Sequence, residues 1–364
     1  MIAIQTIAIA LFACFQDAPE RGFEETLEWW REAIVLDLPG DVLRDEKDDL
    51  KRHPKLSEHG EAIALRARAR LLAGDFDAAR ELLARANPTE ATKAHVTVAN
   101  ARLELAEDNL EFVVKSLRGE KRGTVQDELS DLPDAWLVLG RALARADSIN
   151  DSALVLRRFV ELSPYHPEAA SAWHILSRHA TQGREFQRAQ RFSARAETIG
   201  RWHGYYRAHR IRLRENADAI EPRVGLVILW MQADRPDKAL TLLDELAVLA
   251  PDHCEAHGHR AEALRKLERF AEARKAYDLA IACAPDQAGL RFNRGWLALQ
   301  EKREGDARVD FEWIVQNEQH EKDPRYLDAH LELARILMIV GEPEEAQKRY
   351  ARYRELGGEQ TLEK

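Results

Sequence analysis

Three histidines and a cysteine fall close together at His253, Cys254, His257 and His259, side-chain types that ligate zinc and similar ions. His253 and His257 stand one helical turn apart and could share a metal, with Cys254 the one further candidate. No third ligand of better spacing is evident. Histidines that cap or solvate a helix mouth account for the cluster more simply, so no metal ligand is expected. Cys254 also has a redox chemistry to consider with Cys283. The two would begin the first and end the second of two antiparallel helices, which brings those ends together. A bridge requires Cα atoms within about 7 Å and an oxidising compartment. Two free thiols packed as small apolar residues are the alternative, and the simpler one. No nucleophile elbow, P-loop, dinucleotide fingerprint or HExxH sequence occurs. Neither catalytic nor cofactor-binding residues are expected, and the chain does not read as an enzyme.

The elements that would carry these residues are legible between Asp252 and Pro285. Two amphipathic helices meet at a short turn, with small residues where they must touch (Ala261, Ala273, Ala280) and large ones beside them (Leu264, Phe270, Tyr277). A proline closes the unit. The layout returns 34 residues earlier, with Ala239 and Pro251 in the places of Ala273 and Pro285, and again later with Ala307 and Phe311. A fixed period in this range marks a solenoid built from one repeated helix pair. In such an array the core grows linearly, so a length of 364 residues says little about domain count. A net charge of −9 argues against non-specific binding to nucleic acid or to an anionic membrane.

Earlier units follow the same plan. Gly60–Pro88 turns at Gly74-Asp75-Phe76 and carries Ala79 and Leu83. A degenerate unit holds Ala101, Leu105, Val113 and Leu117, and a charged loop runs from Arg118 to Leu132. Then come Trp136-x-x-Leu139-Gly140-x-x-Leu143 with Ser152, Phe159 and Pro164, and a further unit with Trp173, Leu176, Phe186, Ala189 and Ala196. From Gly60 to the C-terminus, about eight such units resemble the tetratricopeptide repeat family, whose unit reads W-x-x-L-G-x-x-Y, A-x-x-x-F, A, P. His257, Arg260, Arg291 and Arg294 depart from it, standing where the family prefers Trp or Leu. The resemblance implies an all-α fold, a right-handed α-solenoid of antiparallel helix pairs. It also implies a non-catalytic scaffold or adaptor that holds a peptide or partner protein on its concave face. A structural subunit of a larger complex or homo-oligomer, or a helper of a separately encoded enzyme, is the alternative function.

In this family the first helix of each unit lines the concave face, with partner-facing residues one helical turn apart. Those slots hold Val224, Ile228 and Met231 in one unit, Phe292 and Trp296 two units later, and Leu331 and Met338 in the last. The unit between contributes Gly258, Glu262 and Arg265, so the family's paired Lys, Asn and Arg clamp for carboxylates is not visible there. Large apolar groups at such slots mark a binding patch. Because Arg291 and Arg294 occupy nominal core slots, the competing expectation is a rotated helix with Phe292 and Trp296 turned inward, and the sequence slightly favours it.

Two stretches lie outside the period. Residues 1–16 form an uncharged apolar run of signal-peptide length, so export to a bacterial periplasm or envelope is expected, with a cytoplasmic location if the segment is not a signal. Leu11-Phe12-Ala13-Cys14 resembles a lipobox, which would make Cys14 the single route to a membrane anchor. Residues 17–56 read as a helical cap in which Asp41 caps a very acidic second helix. Repeats then occupy 57–203 and 220–364, the latter ending in a polar tail. They flank an aromatic and basic insert at 204–219, within RWHGYYRAHRIRLREN. An elongated helix is the plainer reading of that segment; a basic ledge for an acidic partner or nucleic acid is the sharper one. The expected partner is a protein or peptide, not nucleic acid.

Overall fold

The computed structural model describes residues 21–319 and 323–362, so residues 1–16 and the Cys14 lipid site lie outside the described residues. Among the described residues the regular structure is eighteen α-helices, with four short 3-10 turns and one isolated bridge between Arg118 and Val125 inside the charged loop. The chain forms two compact units that part between Ala217 and Asp218. The first holds α1 (Phe23–Val35), α2 (Pro39–Arg52), α3 (Gly60–Leu72), α4 (Phe76–Ala84), α5 (Lys93–Ala106), α6 (Leu110–Leu117), α7 (Pro133–Arg145), α8 (Ile149–Leu162), α9 (Ala169–Gln182) and α10 (Phe186–Glu215). The second holds α11 (Ile220–Gln232), α12 (Pro236–Leu249), α13 (Cys254–Lys266), α14 (Phe270–Cys283), α15 (Ala288–Gln300), α16 (Glu304–Gln316), α17 (Asp328–Ile339) and α18 (Pro343–Glu355). Each is an all-α solenoid of antiparallel helix pairs.

The turn inside each pair explains why the pairs recur. Gly74, Asp108, Asp147, Arg184, Asp234, Glu268, Lys302 and Gly341 all adopt positive φ just after a first helix. The following N–H then reaches back to the last turn, as from Asp75 to the Arg70 carbonyl and from Arg303 to that of Ala298, each at 2.8–2.9 Å. This is the left-handed helix stop that satisfies otherwise orphaned carbonyls. Only two of the eight positions are glycine, so the remainder carry a steric cost that packing of the pair must outweigh.

That packing rests on small residues at the expected places. Ala261, Ala273, Ala280, Ala239 and Ala307 are all 0% exposed, and Tyr277 and Phe311 fill the space beside them. Gly140 shows why size is restricted: a Cβ there would lie 2.5 Å from Leu156 Cδ2. Trp136, Leu139, Leu143, Val155 and Phe159 belong to the core cluster around that contact. First helices touch the first helices of their neighbours (α3 with α5, α5 with α7, α11 with α13, α13 with α15), a closeness that second helices do not reach. The wall of first helices therefore lies on the inside of each unit's curve.

One expectation about the first unit changes. Asp41 is not the N-cap of α2: Leu38 is, with Pro39 at the first helical position, where its missing N–H costs nothing. Part of the acidic face of α2 is covered: Asp45, Glu46 and Asp49 are buried against Arg21, Arg66 and Arg70. The segment after Gly204 prolongs a single 30-residue helix, α10, in line with the plainer reading. Three of the segment's four arginines are occupied within the unit. Arg207 faces Asp37, Arg210 bonds Glu32, and Arg214 pairs with Asp41 at 2.7 Å while stacking on Trp29.

Candidate functional site

The inner wall of the first unit is organised by arginines. Arg68, Arg102, Arg141 and Arg178 each directly follow a small residue, Ala67, Ala101, Gly140 and Ser177, on α3, α5, α7 and α9. The small residue sits where a first helix meets its second helix; Ser177, for instance, donates to the Ala189 carbonyl at 2.9 Å. The next side chain along is thereby turned toward the inner wall, once per repeat.

Three of these arginines share two carboxylates. Glu168 accepts from Arg68 at 2.7 Å, from Arg102 at 2.8 Å and from Arg141. Asp134 accepts from Arg102 at 2.5 Å and lies 3.4 Å from Arg68. His166 completes the cluster, with Nδ1 accepting the Glu168 N–H at 3.1 Å and Nε2 3.3 Å from Asp134. Burial opposes charge on Glu168, but Arg102, Arg68 and Arg141 outweigh it and hold its pKa at about 2. Asp134 is likewise held well below the usual carboxylate range: burial works against the anion, and Arg102 and a hydrogen bond from His166 overcome it.

Asp134, His166 and Glu168 are also close enough together to hold a metal ion. Their surroundings suit it poorly, because any cation would displace or face three guanidinium groups already bonded to the same oxygens. Above this network opens a cleft of about 730 Å³ lined by Arg102, Arg141, Arg145, His174 and Arg178, with Asp147 its single acidic residue.

In the second unit the expected partner-facing residues are spread over several depths. Val224, Ile228, Met231 and Phe292 are half-buried, while Trp296 is 36% and Met338 48% exposed. Leu331 is 0% exposed and belongs to the interior, so it is not part of the accessible wall. Phe292 packs edge-on against Phe311 and Tyr326, with ring centroids 5.9 and 5.4 Å away; Trp296 lies 6.2 Å from both Phe292 and Phe311. Neither expectation for this helix holds outright: Phe292 is mostly inward and Trp296 straddles the surface. The arginines that made the register uncertain have their own partners. Arg294 makes a two-pronged contact with Asp310 at 2.8 and 2.7 Å and a third bond to Asp278, and Arg291 stacks on Trp313. Asp310, 1% exposed, replaces the apolar contact the repeat would otherwise have there.

The histidine cluster is used up locally. His253 caps α13, its Nδ1 accepting the Ala256 N–H at 3.2 Å; His257 bonds the Pro251 carbonyl, and His259 faces Glu255. Cys254 is not available as a ligand, because it is bridged to Cys283 across a Cα–Cα distance of 5.4 Å. The simpler expectation of free thiols gives way to the hairpin geometry that joins the two ends.

A sequence profile described as tetratricopeptide repeat matches residues 226–288, which span α12, α13 and α14 and the second half of α11. Residues 226–288 carry tetratricopeptide repeats. No curated protein matches the sequence. Three solved structures are similar to parts of it. The crystal structure of MamA is 21% identical, covering 44% of this chain and 91% of that one, with a TM-score of 0.39. Pseudomonas aeruginosa pilF is 14% identical over 63% of this chain and 94% of that one, at 0.36. YrrB, described as a TPR protein with an unusual peptide-binding site, is 13% identical over 62% and 95%, at 0.24. Tetratricopeptide repeats support a protein-interaction scaffold in general terms.

Counted one per helix pair, the arginine series is what sequence reading missed. Attention to large apolar residues at inner slots finds Trp296 and Met338 but passes over charged ones. The signal was present in the sequence, as an arginine immediately after the small residue in four consecutive first helices.

Proposed function

We propose that the chain is a non-catalytic adaptor that captures a segment of a partner protein on the inner wall of its first helices. The observation that carries this reading is the makeup of that wall. It presents part-exposed apolar groups at Trp296 and Met338 in one unit and a row of arginines around a cleft in the other. A surface needed only for solubility would mix short-range ion pairs with polar groups; exposed Trp and Arg are the residue types that dominate interface energetics. Val224, Ile228, Met231 and Phe292 would line the same wall as shallower contacts. Export of the protein fits the Cys254–Cys283 bridge, since such bonds persist in oxidising compartments.

The reading is tested by selection from a displayed library of random linear peptides on the immobilised whole chain. Enriched peptides that bind the soluble chain, and bind Trp296→Ala or Arg178→Ala more weakly, support it. The second reading, a structural subunit of an oligomer, is favoured by apolar groups on second helices, notably Val248 at 74% and Val309 at 60% exposed. Failure to enrich any peptide, together with a mass that rises with concentration, would replace the first reading by the second.

A further inference from the structure

Resting on the adaptor reading and deepening it, we propose that the cleft between α5, α7 and α9 is a recognition site for an extended acidic segment of the partner, its Glu or Asp side chains seated on Arg145, Arg178 and the free edge of Arg141. The charge of the cleft is not balanced from within. Four arginines line it against Asp147 alone. Arg102 and Arg141 share Glu168 with Arg68, and Asp134 is shared as well, leaving three guanidinium groups on two carboxylates. Arg145 lies 3.5 Å from Asp108, with the two side chains 51% and 74% exposed, so that pair is loose and screened. Among the described residues no side-chain hydrogen bond or ion pair engages the exposed Arg178. His174, also exposed, stands on the same helix one turn before it.

The acids that are present hold the arginines in place rather than quench them. Glu168 and Ser171 fix the Arg141 guanidinium, Ser171 Oγ accepting at 2.9 Å, and the Leu105 carbonyl accepts from Arg145 at 2.6 Å. A guanidinium oriented in this way still has N–H groups for a carboxylate, and its planar fork favours two-pronged contact. Neighbouring helices stand roughly 8–10 Å apart. Side chains two or three residues apart on an extended peptide are separated by about 7–10 Å. One carboxylate per repeat is therefore within reach of a single strand.

The lining distinguishes a peptide from a nucleic acid. No Phe, Tyr or Trp faces the cleft, so the larger rings on which bases stack best are missing and only His174 and His179 offer an aromatic face, whereas Leu105, Ile149 and Ile175 give apolar wall to the stems of Glu side chains. The chain's net charge of −9 would repel a long polyanion while leaving a local basic cleft able to hold a short one.

The test is fluorescence anisotropy on the whole chain with a labelled decapeptide alternating Glu and Ala, its Gln twin, and a decameric oligothymidylate. Expected is binding of the Glu peptide about tenfold or more tighter than the Gln twin, weakening with salt and falling by about tenfold in Arg145→Ala/Arg178→Ala. Both substituted side chains are exposed, and an unchanged melting curve will show that the variant folds. Arg178→Lys should retain part of the affinity, and Lys275→Ala, at an exposed position on the second helix α14, should bind the Glu peptide as the parent does. Equal binding of the Glu and Gln peptides, no effect of the double variant, preferential binding of the oligothymidylate, or full competition by inorganic phosphate would each overturn the proposal. If library-selected neutral peptides still bind while the Glu peptide does not, this inference fails and the adaptor reading stands; if neither binds, both fail.

Discussion

Arg210, in the second half of α10, is hydrogen-bonded to Glu32 of α1 across 178 residues of sequence. With Arg207 facing Asp37 and Arg214 on Asp41, it ties the last helix of the first unit to the first. Glu32 and Arg210 are only 15% and 28% exposed, so the pair is poorly screened by solvent. Arg210→Glu or Glu32→Arg should each cost roughly 1–2 kcal/mol, and the charge-swapped double variant should recover most of it. Urea melts of the whole chain measure this; single variants that melt with the parent would mean that the contact contributes nothing.

Glu168 makes a prediction about pH. Its folded pKa is lowered from the model-compound value of 4.5 to about 2, so it contributes stability that is present above pH 4.5 and lost as pH falls toward 2. A shift of that size corresponds to at most roughly 3 kcal/mol. Glu168→Gln should be destabilised at neutral pH, and the gap from the parent should close across that window. A gap that stays constant with pH would show that the carboxylate is not held by the arginines.

The Cys254–Cys283 bridge closes a span of 29 residues. Cross-links of this length stabilise by about 2–4 kcal/mol, chiefly through the unfolded chain. Cys254→Ala/Cys283→Ala should lose that amount in an oxidised preparation and match the parent after reduction. Intact mass after alkylation in denaturant without reductant should show neither thiol modified; two modified thiols would rule the bridge out.

Lys302 occupies the left-handed turn position at φ 56°, where a side chain is strained. Lys302→Gly should raise stability by about 0.5–1 kcal/mol, the relief being partly offset by the freer unfolded chain. The converse, Gly74→Ala at φ 79°, should lower it by about 1 kcal/mol although nothing crowds the site. Thermal melts in which both changes are neutral would show that the turn is not strained.

How much of this was readable in the sequence follows from what each residue depends on. Ala261, Ala273 and Gly140 are constrained by a local helix contact repeated many times, so spacing alone located them. The bridge was readable as a geometric option because both cysteines sit at the open end of one hairpin. Arg210 with Glu32 was not, since charge pairing over such a separation is decided by how the whole unit curves. Phe292 and Trp296 were ambiguous because the core slot opposite is filled by the part-buried Arg294–Asp310 pair, which no repeat pattern anticipates. Leu331 was misplaced for a related reason: the repeat slot gives a direction on the helix but not what covers it. The Cys14 and leader expectations concern residues beyond those described.

The most direct measurement of the central claim is the affinity of library-selected peptides for variants of the two helix layers. Trp296→Ala and Arg178→Ala alter the inner wall; Val248→Asp and Leu279→Asp alter second helices at positions 74% and 57% exposed. Capture on the first-helix wall predicts that at least one inner change weakens binding by about tenfold, while both outer changes leave it within about twofold. Binding that survives both inner changes and is lost on an outer one would contradict the account.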